Sequence, residues 1–469
     1  MFLSIECFGN NEEYYEYVEK RKALGFEVDD DEVDDEGYVE ELWDDTEPEE
    51  EEEEPVQLMS AKASNSKAAA IPSKKSKVET KFVNAGTKGI QSFFKFGKTM
   101  YVIQHFSDGV KVTKCAKRKI SKASLKSINS DTAAIWNMKE NDIVYDLKGK
   151  GTERMTLKNF HHGQTLEMFT MEDNGVKTTY LMVTAGKVVA STGSKVPWGN
   201  AIGFIKFKKG TYDYKNERRL SELSPMFLTS PQNANKKGKS TRGTLHVEAC
   251  LSTDRKTVLL WTQLAKKGKE KGQIQLTCIN KKKLMSVLKK QNNKGKGKLV
   301  KLNCKNIPKK SIICTATQTK AKGNWGKPYD SFQSIDMTNP NGSGTYTVFV
   351  SGGNEKYRTK KGKAAMPCAL MRCTITKKGT SEIKKKKRIK TNLKALTVMN
   401  EMEGMHYDGD IHYIMTAVPE YKGKENKVTY TKRTVETKDD KTVTKKEKRA
   451  AKLSKQVQVM FMTDKSNMD

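Results

Sequence analysis

Apolar residues in this chain fall in short runs, and the runs are separated by Gly, Asn, Asp, Ser and Lys. That is the pattern of brief β-strands joined by turns. The clearest example is His246 to Trp261, HVEACLSTDRKTVLLW. Glu248 is followed by the small Ala249 and further apolar residues. The polar Ser252-Thr253-Asp254-Arg255 comes next, and then the β-forming Thr257 to Trp261. The stretch predicts a β-hairpin. Helical periodicity is rare, and the best candidate is Lys281 to Gln291, where Leu284 and Leu288 stand at i and i+4.

The hairpin repeats. Each copy has Gln or Glu, then a small residue, an apolar residue, a polar turn and a strand. The first runs from Gln91-Ser92-Phe93 through Gly97-Lys98 to Thr99–Gln104. The second runs from Gln164-Thr165-Leu166 through Glu172–Gly175 to Thr178–Val183. The third is the stretch above. The fourth runs from Gln333-Ser334-Ile335 through Asn339–Gly342 to Thr345–Val350. The fifth runs from Glu403-Gly404-Met405 through Asp408–Asp410 to Ile411–Ala417. The anchors Gln91, Gln164, Glu248, Gln333 and Glu403 are spaced by 73, 84, 85 and 70 residues. Evenly spaced hairpins signal a repeat architecture. The expected fold class is therefore all-β, a five-bladed β-propeller over residues 80–469. A compact blade needs about 40–45 residues, so the surplus is expected as long Lys-rich loops. The strand Gln456–Met462 is expected to pair with the first blade and close the ring.

Charge divides the chain. Residues 1–60 hold 24 of the 56 acidic residues and 3 of the 87 basic ones, a net charge of −21, and the remainder carries +52. The first segment reads as an acidic arm, largely disordered because like-charge blocks repel. Residues 61–79 read as a linker. Only 12 of the basic residues are Arg, whereas readers of base sequence favour Arg forks. A Lys field instead suits diffuse attraction to polyanions. Candidate surface-binding residues are Lys266 and Lys267, Lys360 and Lys361, and the run Lys384, Lys385, Lys386, Lys387, Arg388 and Lys390. The arm then becomes an intramolecular mask for this field. Trp198, Trp325 and Tyr329 are candidates for insertion at an interface, or for core packing.

Chemistry is sparse. The eight cysteines show no CxxC and no zinc spacing, and read as buried free thiols. No P-loop, nucleophile elbow or HExxH occurs. His161-His162 would point to opposite faces of a strand. No metal, cofactor or catalytic residue is assigned. In a propeller the five anchors would line the central channel, bonding to neighbouring blades or shaping a ligand site with His162, His246 and Glu401. A glycosidase needs two facing carboxylates. Glu248 and Glu403 are candidates, as are Glu167 and Asp336, each three residues past an anchor, but three of the five anchors are neutral Gln.

His162-x-Gln164-Thr165-x-Glu167, His246-x-Glu248-Ala249 with Ser252-x-Asp254, Trp198-Gly199-Asn200-Ala201-Ile202, Leu220-Ser221-Glu222-Leu223, Gln333-x-x-Asp336 and Glu401-x-Glu403 follow in this order. Together they resemble helveticin J, the large heat-labile (class III) bacteriocin family, over about residues 85–465. The chain departs from the family in its acidic arm, its Lys content and Leu166 where Trp is usual. The resemblance implies a secreted antibacterial protein that damages sensitive cells, with no established catalytic residues. The start of the chain has no basic n-region typical of a secretory signal, so extracellular placement is expected without one. The expected role is binding to anionic bacterial surfaces and disruption of the envelope. The alternatives are a carbohydrate- or polyanion-binding propeller without enzymatic activity, and a propeller glycosidase.

Overall fold

The computed structural model describes residues 77–78, 81–84, 89–106, 109–127, 138–173, 175–186, 198–235, 242–265, 273–294, 300–319, 332–358, 364–388, 401–407, 411–421, 435–438, 441–444 and 453–464. The acidic arm, most of the linker, Lys266, Lys267, Lys360, Lys361, Lys390, Trp325 and Tyr329 lie outside them.

The fold is all-β, and every predicted hairpin is an antiparallel pair. The first strand group is Ile90–Phe96, Thr99–Phe106, Gly109–Lys119 and Glu153–Lys158. The second is Leu166–Asp173, Val176–Ala185, Ala201–Ile205 and Met226–Thr229. The third is Thr244–Leu251, Thr257–Leu264, Gln273–Asn280 and Ile312–Thr319. The fourth is Ser334–Met337, Tyr346–Arg358, Ala364–Ile375 and Ser381–Arg388. The fifth is Glu401–Tyr407, Ile411–Tyr421, Leu453–Asp464 and Lys77–Val78. A pairing of Asn354 with Glu401 joins the last two groups.

Both faces of the middle groups are buried, which explains the unbroken apolar runs. Val258, Leu259, Leu260 and Trp261 are all fully buried. Val258 and Leu260 pack toward the second group, and Leu259 and Trp261 toward the fourth. Strand alternation sends successive side chains to opposite faces, so a sheet covered twice shows no polar stripe.

The repeat unit is larger than the hairpin. In the second group the chain between the third and fourth strands forms Gly210–Asp213, which adds a parallel edge strand to the first group. In the third group the same excursion forms the helix Lys281–Lys294 and then Val300–Asn303, a parallel edge strand of the second group. The surplus length expected as loop is thus partly spent on tying consecutive groups together. The helix matches the predicted stripe, with Leu284 and Leu288 both buried.

Two expectations need correction. The strand Leu453–Asp464 pairs with Ile411–Tyr421 of the fifth group, and not with the first. Lys77–Val78, assigned to the linker from sequence, adds to its far edge at Phe461 and Met462. The start of the body thereby meets its end. Secondly, Lys384 to Arg388 form an edge strand rather than a loop, with Arg388 opposite Ala369. Lysines on an edge discourage a further strand from adding there.

Candidate functional site: the centre of the molecule

The first strands of the five groups touch one another in cyclic order. Ile90–Phe96 contacts Leu166–Asp173, which contacts Thr244–Leu251. Thr244–Leu251 contacts Ser334–Met337, which contacts Glu401–Tyr407, and that strand contacts Ile90–Phe96 again. Local backbone irregularities help to aim the anchors. The ladder slips between Ile90 and Ser92, at Gln91, and between Met402 and Met405, at Glu403. Bulges of this kind redirect a side chain.

All five anchors join one hydrogen-bond network. Gln91 Nε2 donates to Glu403 Oε1 at 2.9 Å. Gln164 Nε2 donates to Gln333 Oε1 and, at 3.5 Å, to Glu403 Oε2. Glu248 ties the second group to the third. It accepts from Gln164 N at 3.0 Å, Thr165 N at 2.8 Å, Thr165 Oγ1 at 2.5 Å and Thr184 Oγ1 at 2.6 Å. His246 Nε2 lies 2.5 Å from Oε1, the oxygen that also accepts from Gln164 N. Burial alone would raise the carboxyl's pKa, but the His246 charge and these hydrogen bonds outweigh it and hold the group below its ordinary value. The small residue after the fifth anchor is explained by close approach: a Cβ on Gly404 would stand 2.6 Å from Ser92 Cα.

The histidines assigned to a channel mouth pack in an aromatic column. His246 stacks on Trp198 at 4.0 Å, and the His162 ring is 4.0 Å from both Trp198 and His105. Trp198 is therefore a packing residue. Burial pushes the His105 imidazole down to about 4, partly offset by its bond to Gly163 O and the Glu248 charge. His162 is lowered well below its ordinary value, by burial first and then by its two histidine neighbours. His161 has φ 61° and lies outside any strand, so the face argument does not apply to it. Glu401 sits opposite Ala417 at the start of the fifth group's first strand.

Three residues past the anchors lies a second layer: Phe94, Glu167, Leu251, Asp336 and His406. Sequence reading singled out Glu167 and Asp336 but missed His406 as their partner. The signal was present, because Glu403 plus three is His406. Ligand atoms of Glu167, Asp336 and His406 all lie within 4.8 Å of one another. Asp336 is well bonded: Oδ1 accepts from Met337 N at 2.7 Å, and Oδ2 from Tyr407 N at 2.6 Å, with His406 Nδ1 3.2 Å away. Burial works against a charged His406, but the Asp336 bond and charge win and raise its pKa.

Glu167 is held more loosely. Oε1 accepts from Leu251 N at 3.4 Å, and Oε2 from Arg255 Nη1 at 3.3 Å. Arg255 makes its tighter bond, 2.6 Å, to the Met168 carbonyl. Its guanidinium also lies 4.7 Å from the Phe94 ring centroid. Burial raises the Glu167 pKa to about 7, against the pull of Arg255 and with the push of Asp336.

Between the two layers is a cavity of about 10 Å³, lined by residues including Gln164, Glu167, Glu248 and His406. That is room for about one water. The seven described cysteines are all buried and free. No family model and no curated protein matches the chain.

Proposed function

We propose that this chain is a five-bladed β-propeller that binds anionic bacterial surfaces through its basic rim, and that it acts as a bacteriocin-like protein without enzymatic activity. The propeller reading draws support from the cyclic contacts of the five first strands and from the join between the two ends of the body. The antibacterial role rests on the resemblance of the Gln164, Glu248 and Gln333 motifs to the helveticin J family.

The observation that carries the binding reading is where basic and apolar groups lie. Lys95 and Lys98, Lys208 and Lys209, Lys282 and Lys283, and Lys377 and Lys378 are exposed on four different strand groups. The only exposed large apolar residues among those described are Ile143 and Val176, and no described helix is long and apolar enough to cross a membrane. Contact with a surface would then be electrostatic rather than insertional. Near an anionic membrane each Lys contributes about 1 kcal/mol, so a handful acting together holds the protein there. A glycosidase reading is disfavoured because Glu248 is occupied by donors and the cavity between Glu167 and the anchors is far too small for a sugar ring.

The test is killing and dye leakage of a bacterial panel, alongside binding to phosphatidylglycerol vesicles. Both effects should weaken as salt rises, because mobile ions screen exposed charge. Deleting residues 1–60 should strengthen vesicle binding if the arm is a mask. Vesicle or glycan binding with no killing across the panel would replace the bacteriocin role with simple polyanion binding. Hydrolysis of a glycan by the pure protein, lost in Glu248→Gln, would overturn the non-enzymatic reading.

A further inference from the structure

We propose that the centre of the molecule is a binding site for one divalent transition-metal ion, held by Glu167, Asp336 and His406. Three observations converge. The ligand atoms of these side chains come from three different strand groups yet lie within 4.8 Å of one another, so the fold assembles the set and no local sequence motif does. Glu167 is buried, but its two hydrogen bonds are both long, 3.3 and 3.4 Å. A buried carboxylate normally draws shorter and stronger donors, and each of its oxygens keeps a free lone pair. Independently, Gln164 is 2% exposed and lines the same cavity, and its Oε1 has no donor among the described residues. Its Nε2 is committed to Gln333 and Glu403, which leaves the carbonyl oxygen toward a ligand that accepts electron pairs.

The donor set selects the ligand. Two carboxylates and an imidazole suit manganese, iron or zinc, whereas calcium and magnesium favour all-oxygen shells. The cavity has room for about one water-sized particle beside the side chains, which matches a bare ion and excludes an organic ligand. Arg255 does not block the site. Its guanidinium is fixed by the Met168 carbonyl and the Phe94 ring, and it offsets only part of the charge of the two acids. Binding replaces the proton between Asp336 and His406, so an imidazole nitrogen passes from donor to ligand and the proton leaves to solvent.

The experiment uses the full chain, stripped with chelator and dialysed against manganese(II) or zinc(II). One ion per chain is expected, with a rise in unfolding temperature on loading. Glu167→Gln and His406→Gln should each weaken binding at least about tenfold. Manganese separates this site from adventitious zinc on thiols, because it favours oxygen and imidazole donors. Bound manganese(II) should also show magnetic coupling to an imidazole nitrogen in pulsed electron paramagnetic resonance, a readout that needs no variant. The proposal is overturned if the wild-type chain takes up neither ion, if folded Glu167→Gln and His406→Gln variants bind as the wild type does, or if bound manganese shows no nitrogen coupling. In any of these outcomes the cluster is a hydrogen-bond network alone. The surface-binding reading is independent and survives any of them.

Discussion

Glu248 and Glu167 are both carboxylates buried where the five first strands meet, and their surroundings differ sharply. Glu248 accepts two backbone N–H groups and two hydroxyls and faces His246. Glu167 has one distant N–H and one distant guanidinium. The same burial therefore leaves one acid held ionised and pushes the other up to about 7. A buried charge is stable when it is fully bonded. Glu248 meets that condition and works as a joint between strand groups. The layer three residues on meets it only in part, and that is where a ligand has something to add.

Breaking the joint should have the largest effect. Glu248→Ala strands two buried N–H groups, two hydroxyls and His246 at once, and should cost about 3–5 kcal/mol in urea unfolding. A loss below about 1 kcal/mol would mean that the network closes without the carboxylate.

Acid should act next, through the histidines beside that joint. The folded pKa of His105, about 4, lies below its ordinary 6.5. Stability from this group is intact above pH 6.5 and falls as pH drops from there to about 4, because the unfolded chain takes up the proton first. The loss should approach about 3 kcal/mol. His162 pulls in the same direction. In His105→Gln the acid limb should flatten; an unchanged limb would show that other groups set it.

Gly404→Ala tests the packing between the fifth and first groups. The added methyl meets Ser92 Cα, and overpacking of this kind costs about 1–3 kcal/mol. A loss in thermal unfolding near zero would mean that the two strands separate easily.

The effect of opposite sign belongs to Glu167→Gln. The folded pKa is raised, so the group's contribution is present below pH 4.5 and is lost as pH rises toward 7. Removing the acid should change metal-free stability by less than about 1 kcal/mol at pH 5 and raise it by up to about 3 kcal/mol at pH 8. A large loss at both pH values would place Glu167 with Glu248, as a second joint.

Much of this was legible along the chain. The five copies located each first strand, because a Gln or Glu, a small residue and a turn recur at every crossing point. Leu284 and Leu288 marked the one long helix among the described residues. Glu167 and Asp336 were visible as acids three past an anchor. Their meeting with His406 was not, since contacts between strand groups depend on how the sheets are set side by side. The parallel strands Gly210–Asp213 and Val300–Asn303 were also hidden: they are short, and their partners lie one repeat earlier.

The sequence by itself determined the all-β class, the recurring hairpin and the separation of an acidic start from a basic body. These follow from local pattern and from charge, which need no neighbours. Only the tertiary structure decided which acids are joints and which is under-bonded, where the chain ends meet, and that His162 and His246 pack with Trp198. Those outcomes depend on distances between residues far apart in the chain, and on burial, which turns one carboxylate into two different groups.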